Sequence, residues 1–168
     1  MDLRSAMKRQ YHAALRTLRK GIELCPEPLW LDQENHPSSF WQIAYHAVFY
    51  TDLYSLQRDE DFQPWEKHRE EYQFLQEVPP DDRPPRLGEP YSKQEVLDYL
   101  EIVDGRIDSV VEGLDLETDD CGFWWYDMPK LDHELMNIRH TQHHAAQLAD
   151  RLERATGRSI DWVGSAGS

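Results

Sequence analysis

The chain has 168 residues, with 32 acidic against 18 basic side chains and a formal net charge of −14. That charge opposes phosphate backbones and argues against nucleic acid as a partner. Hydrophobic residues make up 39%, yet no run approaches the roughly 18 apolar residues of a membrane span. The expectation is therefore one globular domain over 1–168, cytoplasmic, with no membrane partner.

The spacing of Tyr11, Leu15, Leu18 and Ile22 predicts a first helix over 2–24, stopped by Pro26 and Pro28. A second is predicted over 38–58, where Ser38 or Ser39 can cap the aromatic-rich run Phe40-Trp41-Gln42-Ile43-Ala44-Tyr45-His46-Ala47-Val48-Phe49-Tyr50. The segment 59–91 carries Pro64, Pro79, Pro80, Pro84, Pro85 and Pro90 among many acids. It also holds Trp65, Tyr72, Phe74 and Leu75, more large apolar groups than a disordered linker carries. We read it as an ordered crossover with a short helix near 65–76. Ser92-Lys93-Gln94-Glu95 is a capping-box pattern that opens a third helix over 93–114. Val96, Leu100, Val103, Ile107, Val110 and Leu114 mark its apolar face. A fourth helix is predicted over 130–156, closed by Gly157, with Arg151 and Arg154 near the negative end of its dipole. With no internal repeat and no convincing strand, the fold class is all-α: a four-helix bundle with a long crossover between helices two and three.

Negative findings narrow the chemistry. Met1-Asp2-Leu3-Arg4-Ser5 lacks the apolar stretch of a signal peptide. Cys25 and Cys121 make neither a disulfide framework nor a zinc quartet. Cys121 reads as a small buried hydrophobe. Phosphate-cradling glycine loops and the G-x-S-x-G nucleophile turn are absent.

The richest stretch is Asn137-Ile138-Arg139-His140-Thr141-Gln142-His143-His144-Ala145-Ala146-Gln147-Leu148. On a helix, His140 and His144 lie about 40° apart and one turn along, which sets two imidazoles side by side as a metal ion needs them. His133, Asn137, His144, Gln147 and Arg151 fall within about 60° of His140, and Leu131, Ile138, Ala145, Ala149 and Leu152 fall on the far side. The plain reading of that polar stripe is a face turned to water. Against it, the stripe is His, Asn and Gln, where the other solvent stripes here are Glu, Asp, Lys and Arg. Ala145 and Ala146 would also leave room beside the rings.

His46 is the best third ligand. A lone histidine in an aromatic helix is more often a satisfied core residue, but a buried ring must still place both nitrogens. A metal on one and a hydrogen bond on the other would do so. His143, three residues after His140, is expected beside the site or at the surface. Asn137, Gln147 and Tyr50 are the further candidates to support the ligands, and Trp65 and Tyr72 to wall the pocket. His12, His36 and His68 show no partner pattern, and His133 is weakly placed. The spacing is neither that of H-E-x-x-H zinc proteases nor that of di-iron carboxylate bundles. No general base can be named.

On Phe40-Trp41-Gln42-Ile43-Ala44-Tyr45-His46, on Asn137 to Leu148, and to a lesser degree on Asp161-Trp162-Val163-Gly164, the chain resembles the DinB-like (DinB/YfiT) superfamily of small bacterial four-helix proteins. The resemblance spans nearly the whole chain. It implies an up-down-down-up bundle, frequently a homodimer, with a divalent metal, zinc or nickel, held by His46, His140 and His144. It also implies activities that range from transfer or isomerisation with a low-molecular-weight thiol to hydrolysis of an unknown small-molecule substrate. The family's name derives from a DNA-damage-inducible gene and carries no implication of DNA binding. The alternative expectation is a non-catalytic dimeric bundle, an interaction or stress-response protein, with Phe123-Trp124-Trp125-Tyr126 at its interface.

Overall fold

The computed structural model describes residues 2–34 and 36–165. Its α-helices are α1 (Leu3–Leu24), α2 (Glu27–Leu31), α3 (Phe40–Tyr54), α4 (Lys93–Gly113) and α5 (Lys130–Thr156), with a short 3-10 turn at Asp59–Asp61. The described residues contain no strand, only an isolated antiparallel bridge between Val78 and Arg83. None of their helices is long and apolar enough to cross a membrane.

The ends of the long helices follow their capping chemistry. Asp2 accepts from the Ser5 amide at the start of α1. Ser39 with Gln42, and Ser92 with Glu95, form capping boxes on α3 and α4. Gly157 closes α5 in the left-handed conformation, φ 72°. Three expectations need correction. The second long helix ends at Tyr54 rather than near 58. Pro26 and Pro28 do stop α1, but they also start α2, since proline suits a helix's first turn, where its missing N–H is no loss. No helix forms over 65–76, where the chain makes successive turns and Glu71 takes a φ of 70°. There, side chains pin the loop to itself. Arg83 pairs with Glu71 at 2.5 Å, and the Tyr72 hydroxyl accepts from the Gly88 amide and donates to the Glu89 carbonyl.

Cross-helix contacts fix the directions. Lys8 pairs with Glu112 and Arg19 with Glu101, so α1 and α4 are antiparallel. Arg151 donates to the Ser38 carbonyl and Lys130 to that of Leu56, so α3 and α5 are antiparallel too. Tyr45 packs on Tyr99 while Asp52 pairs with Arg106, which makes α3 and α4 parallel. The bundle is therefore up-down-down-up. Because α3 and α4 point the same way, residues 55–92 must carry the chain back along the bundle.

The core is built as the periodicity predicts, with Tyr11, Leu15, Leu18, Ile22, Val96, Leu100, Val103 and Ile107 all buried. Val111 takes the next α4 position in place of Val110. Helix α3 is buried on nearly every side, because the crossover covers the face its neighbours leave open. Trp65 stacks on Tyr99 at 4.9 Å, and Tyr91 packs on Tyr45 at 4.6 Å. A helix wrapped this completely has little freedom to rotate, and it carries His46.

Candidate metal centre

Helix α5 turns its polar stripe inward. His133, Asn137, His144 and Arg151 are buried, so the stripe does not face water. His140 and His144, one turn apart, meet His46 of α3. The Nε2 of His140 lies 3.1 Å from the Nε2 of His46 and 3.1 Å from that of His144. All three ligand-capable nitrogens fall within 4.8 Å of one another. Two imidazole nitrogens on one tetrahedral ion, each roughly 2.0–2.1 Å from it, would stand about 3.3 Å apart. The two 3.1 Å separations fit that geometry closely.

The other ring nitrogens decide which tautomers are present. His46 Nδ1 is 2.7 Å from the Gln73 carbonyl oxygen, which can only accept, so that nitrogen carries the proton and the lone pair is on Nε2. His144 Nδ1 meets Gln147 Oε1 at 3.0 Å, with the same result. Two lone pairs therefore point at His140 Nε2. A single proton there can satisfy only one of them, whereas a cation among the three nitrogens satisfies all. His140 Nδ1 is buried without a partner.

Electrostatics keep the rings in the ligand form. Burial, reinforced by neighbouring imidazoles, lowers His46 and His140 to about 3. It lowers His144 as well, partly opposed by the bond to Gln147. All three are neutral at physiological pH, so a metal would displace no proton from them.

A cavity of about 520 Å³ opens beside the cluster. His46, His140 and His143 border it, with Tyr50, Tyr54 and Tyr126 along one wall and Met136 and Arg139 at the α5 edge. None of these residues is acidic. Tyr50 lies 4.7 Å from His46, ring to ring, and burial pushes its hydroxyl up to about 12, so it stays protonated.

Among the expected supporting residues, Gln147 contacts His144, Tyr50 lies against His46, and His143 is exposed beside His144 at a ring separation of 5.0 Å. Asn137 is a correction. Its amide donates to the Tyr11 hydroxyl and the Thr51 carbonyl, and so ties α1 and α3 to α5 without reaching the imidazoles. Trp65 and Tyr72 are buried in the core around Tyr91 and do not line the cavity. Two histidines without a sequence pattern have partners across the fold: His12 with Asp104 and Asp108, and His68 with the Tyr45 hydroxyl. His133 is wholly buried, stacked on Phe123 at 4.4 Å with neither ring nitrogen hydrogen-bonded and Nδ1 3.9 Å from Glu134 Oε1. Cys121 is buried, as its composition-based reading has it. Sequence reasoning missed the Gln73 carbonyl, which any residue type would supply. It also missed Arg139, visible beside His140 but carrying no signal of its own.

No curated protein and no solved structure gives a significant match to the chain. The sequence profile of the DinB superfamily, by contrast, matches residues 10–148, which takes in α3 and α4, most of α1 and α5, and all three clustered histidines. An up-down-down-up helical bundle, with one imidazole from α3 and an H-x-x-x-H pair from α5 meeting inside it, accompanies that match: the chain belongs to the DinB superfamily.

Proposed function

We propose that His46, His140 and His144 hold one divalent metal ion, zinc or nickel, and that the protein is a metalloenzyme acting on a small molecule in the adjoining cavity. The observation that carries this reading is the convergence of three Nε2 atoms, two of them with tautomers set by the Gln73 carbonyl and Gln147. Three protein ligands leave a coordination position open, and the cavity gives access to it, as in catalytic rather than closed structural sites. Bound there, the ion would supply a Lewis-acidic position at which a thiol or water loses its proton near neutral pH.

The residues around the cavity favour a thiol over water. No carboxylate lines the wall, so a reaction needing a side-chain base has only the exposed His143 to turn to. A thiol bound to such an ion becomes a thiolate with no further proton to shed, whereas a metal-bound hydroxide keeps one that hydrolysis must pass to the leaving group. We therefore place thiol-dependent transfer, with a low-molecular-weight thiol as co-substrate, ahead of hydrolysis. The tyrosine wall would bind and orient the substrate and exclude water from it.

Metal analysis after loading tests the reading. Wild type should retain about one zinc or nickel per chain, and His140→Ala and His46→Ala should each lose most of it. Unchanged stoichiometry in either variant would remove that residue from the ligand set. Thiol addition to the cobalt-loaded protein should produce a thiolate-to-metal charge-transfer band.

A further inference from the structure

Arg139 precedes His140 and borders the cavity from α5. Its guanidinium is exposed and, among the described residues, makes no hydrogen bond or ion pair. The other two arginines of the same helix are engaged: Arg151 with the Ser38 and Asp32 carbonyls, Arg154 with Asp150. Arg4, Arg9, Arg16 and Arg86 also have no carboxylate partner among the described residues, so what sets Arg139 apart is its place at this cavity. The cavity wall is itself free of acids. The field of a −14 protein repels anions at long range, so an anion reaching this cavity needs a local cation to hold it.

The rest of the wall describes the body of such a ligand. Tyr50, Tyr54 and Tyr126 line it with aromatic rings, and the Tyr50 hydroxyl has no hydrogen-bond partner among the described residues. The volume of about 520 Å³ falls in the range of roughly 300–1,000 Å³ common to small-molecule sites. One guanidinium fork, with no helix N-terminus and no second arginine or lysine side chain at the wall, matches a carboxylate better than a phosphate dianion in the metal-free protein.

We propose that the cavity takes a small aromatic carboxylate, its anionic group held by Arg139 and its ring lying against Tyr50, Tyr54 and Tyr126. This deepens the metalloenzyme reading and rests on it only for which end of the ligand reacts. The anionic end depends on Arg139 alone.

Benzoate and benzyl alcohol, which share a ring and differ in charge, serve as probes for titration of the metal-free and the zinc-loaded protein, followed by NMR. In the metal-free protein, where zinc cannot attract the carboxylate, benzoate should bind about tenfold more tightly than benzyl alcohol, a gain expected of one charge-assisted contact. The shifted resonances should include Tyr50 and Tyr126. Arg139→Gln, a change at an exposed position that leaves the core untouched, should bring the two probes within about twofold of each other. Arg139→Lys should keep part of the preference. Equal binding of the probes to wild type, a preference unchanged in Arg139→Gln, or shifts confined to another surface would each overturn the proposal. Zinc content is measured on the same samples. A benzoate preference without stoichiometric zinc would remove the metal reading alone, and stoichiometric zinc without the preference would remove this inference alone.

Discussion

The ion pair between Lys130 and Glu134 offers a quantitative test of how the bundle is held below the histidine cluster. Both side chains are 0% exposed, with Nζ 2.8 Å from Oε1, one turn apart on α5. Lys130 also donates to the Leu56 carbonyl, and Glu134 Oε2 accepts from the Tyr11 hydroxyl at 2.6 Å. Removing one member leaves a charge in a site that water does not reach, at a cost of about 3–5 kcal/mol. Replacing both with apolar groups of similar volume leaves no such charge and should cost about 1 kcal/mol or less. With a urea m-value of roughly 2 kcal/mol per molar, Lys130→Met and Glu134→Leu should each lower the unfolding midpoint by about 1.5–2.5 M. The double variant should recover most of that loss, for a coupling energy of about 5 kcal/mol or more. Urea unfolding of the four proteins, followed by circular dichroism at pH 7.5, reads all of it. Single-variant shifts under about 0.5 M, or additive effects in the double variant, would refute the account of this pair as a mutually dependent buried charge.

Two further expectations concern the histidine cluster. His46 and His140 are lowered to about 3 by burial, whereas the unfolded chain takes up their protons near pH 6.5, so stability is full above about pH 6.5 and declines below it by about 1.4 kcal/mol per pH unit for each ring. His12, raised by Asp104 and Asp108 against its own burial, contributes with the opposite sign. The comparison is therefore between metal-free wild type and the double variant His46→Leu/His140→Leu, whose urea midpoint should fall less steeply between pH 6.5 and 4.5. Parallel profiles would contradict it. Gln147→Leu removes the acceptor that sets the His144 tautomer and should weaken zinc binding about 10–100-fold in a competition assay with a chromogenic chelator. An unchanged affinity would show that His144 needs no such help.

Most of the fold was legible because its signals are local. Ser39–Gln42, Ser92–Glu95 and Gly157 mark helix ends through bonds made within one turn. The ligand trio was legible in part: His140 and His144 share a face by helical period alone. His46 entered because a buried imidazole in an aromatic run has two nitrogens to satisfy. The family profile independently covers both stretches. What stayed hidden depends on partners distant in sequence. The direction of Asn137 is set by Tyr11 and Thr51, which meet it only once three helices are packed. The 65–76 segment looked helical because its large residues have a buried role, yet Glu71–Arg83 and Tyr72–Gly88 fold it into turns. Helix α2 was hidden by the double meaning of proline, which ends one helix and can begin the next.

The Gln73 carbonyl that receives the His46 Nδ1 proton belongs to the backbone of the long return segment. Every amino acid offers the same oxygen at that place, so substitutions at 73 should be tolerated as long as the chain keeps its path. Adding or deleting a residue between Tyr54 and Tyr91 is another matter, because it would slide the carbonyl away from the imidazole and free the ring to change tautomer. In this segment, length is constrained more tightly than spelling.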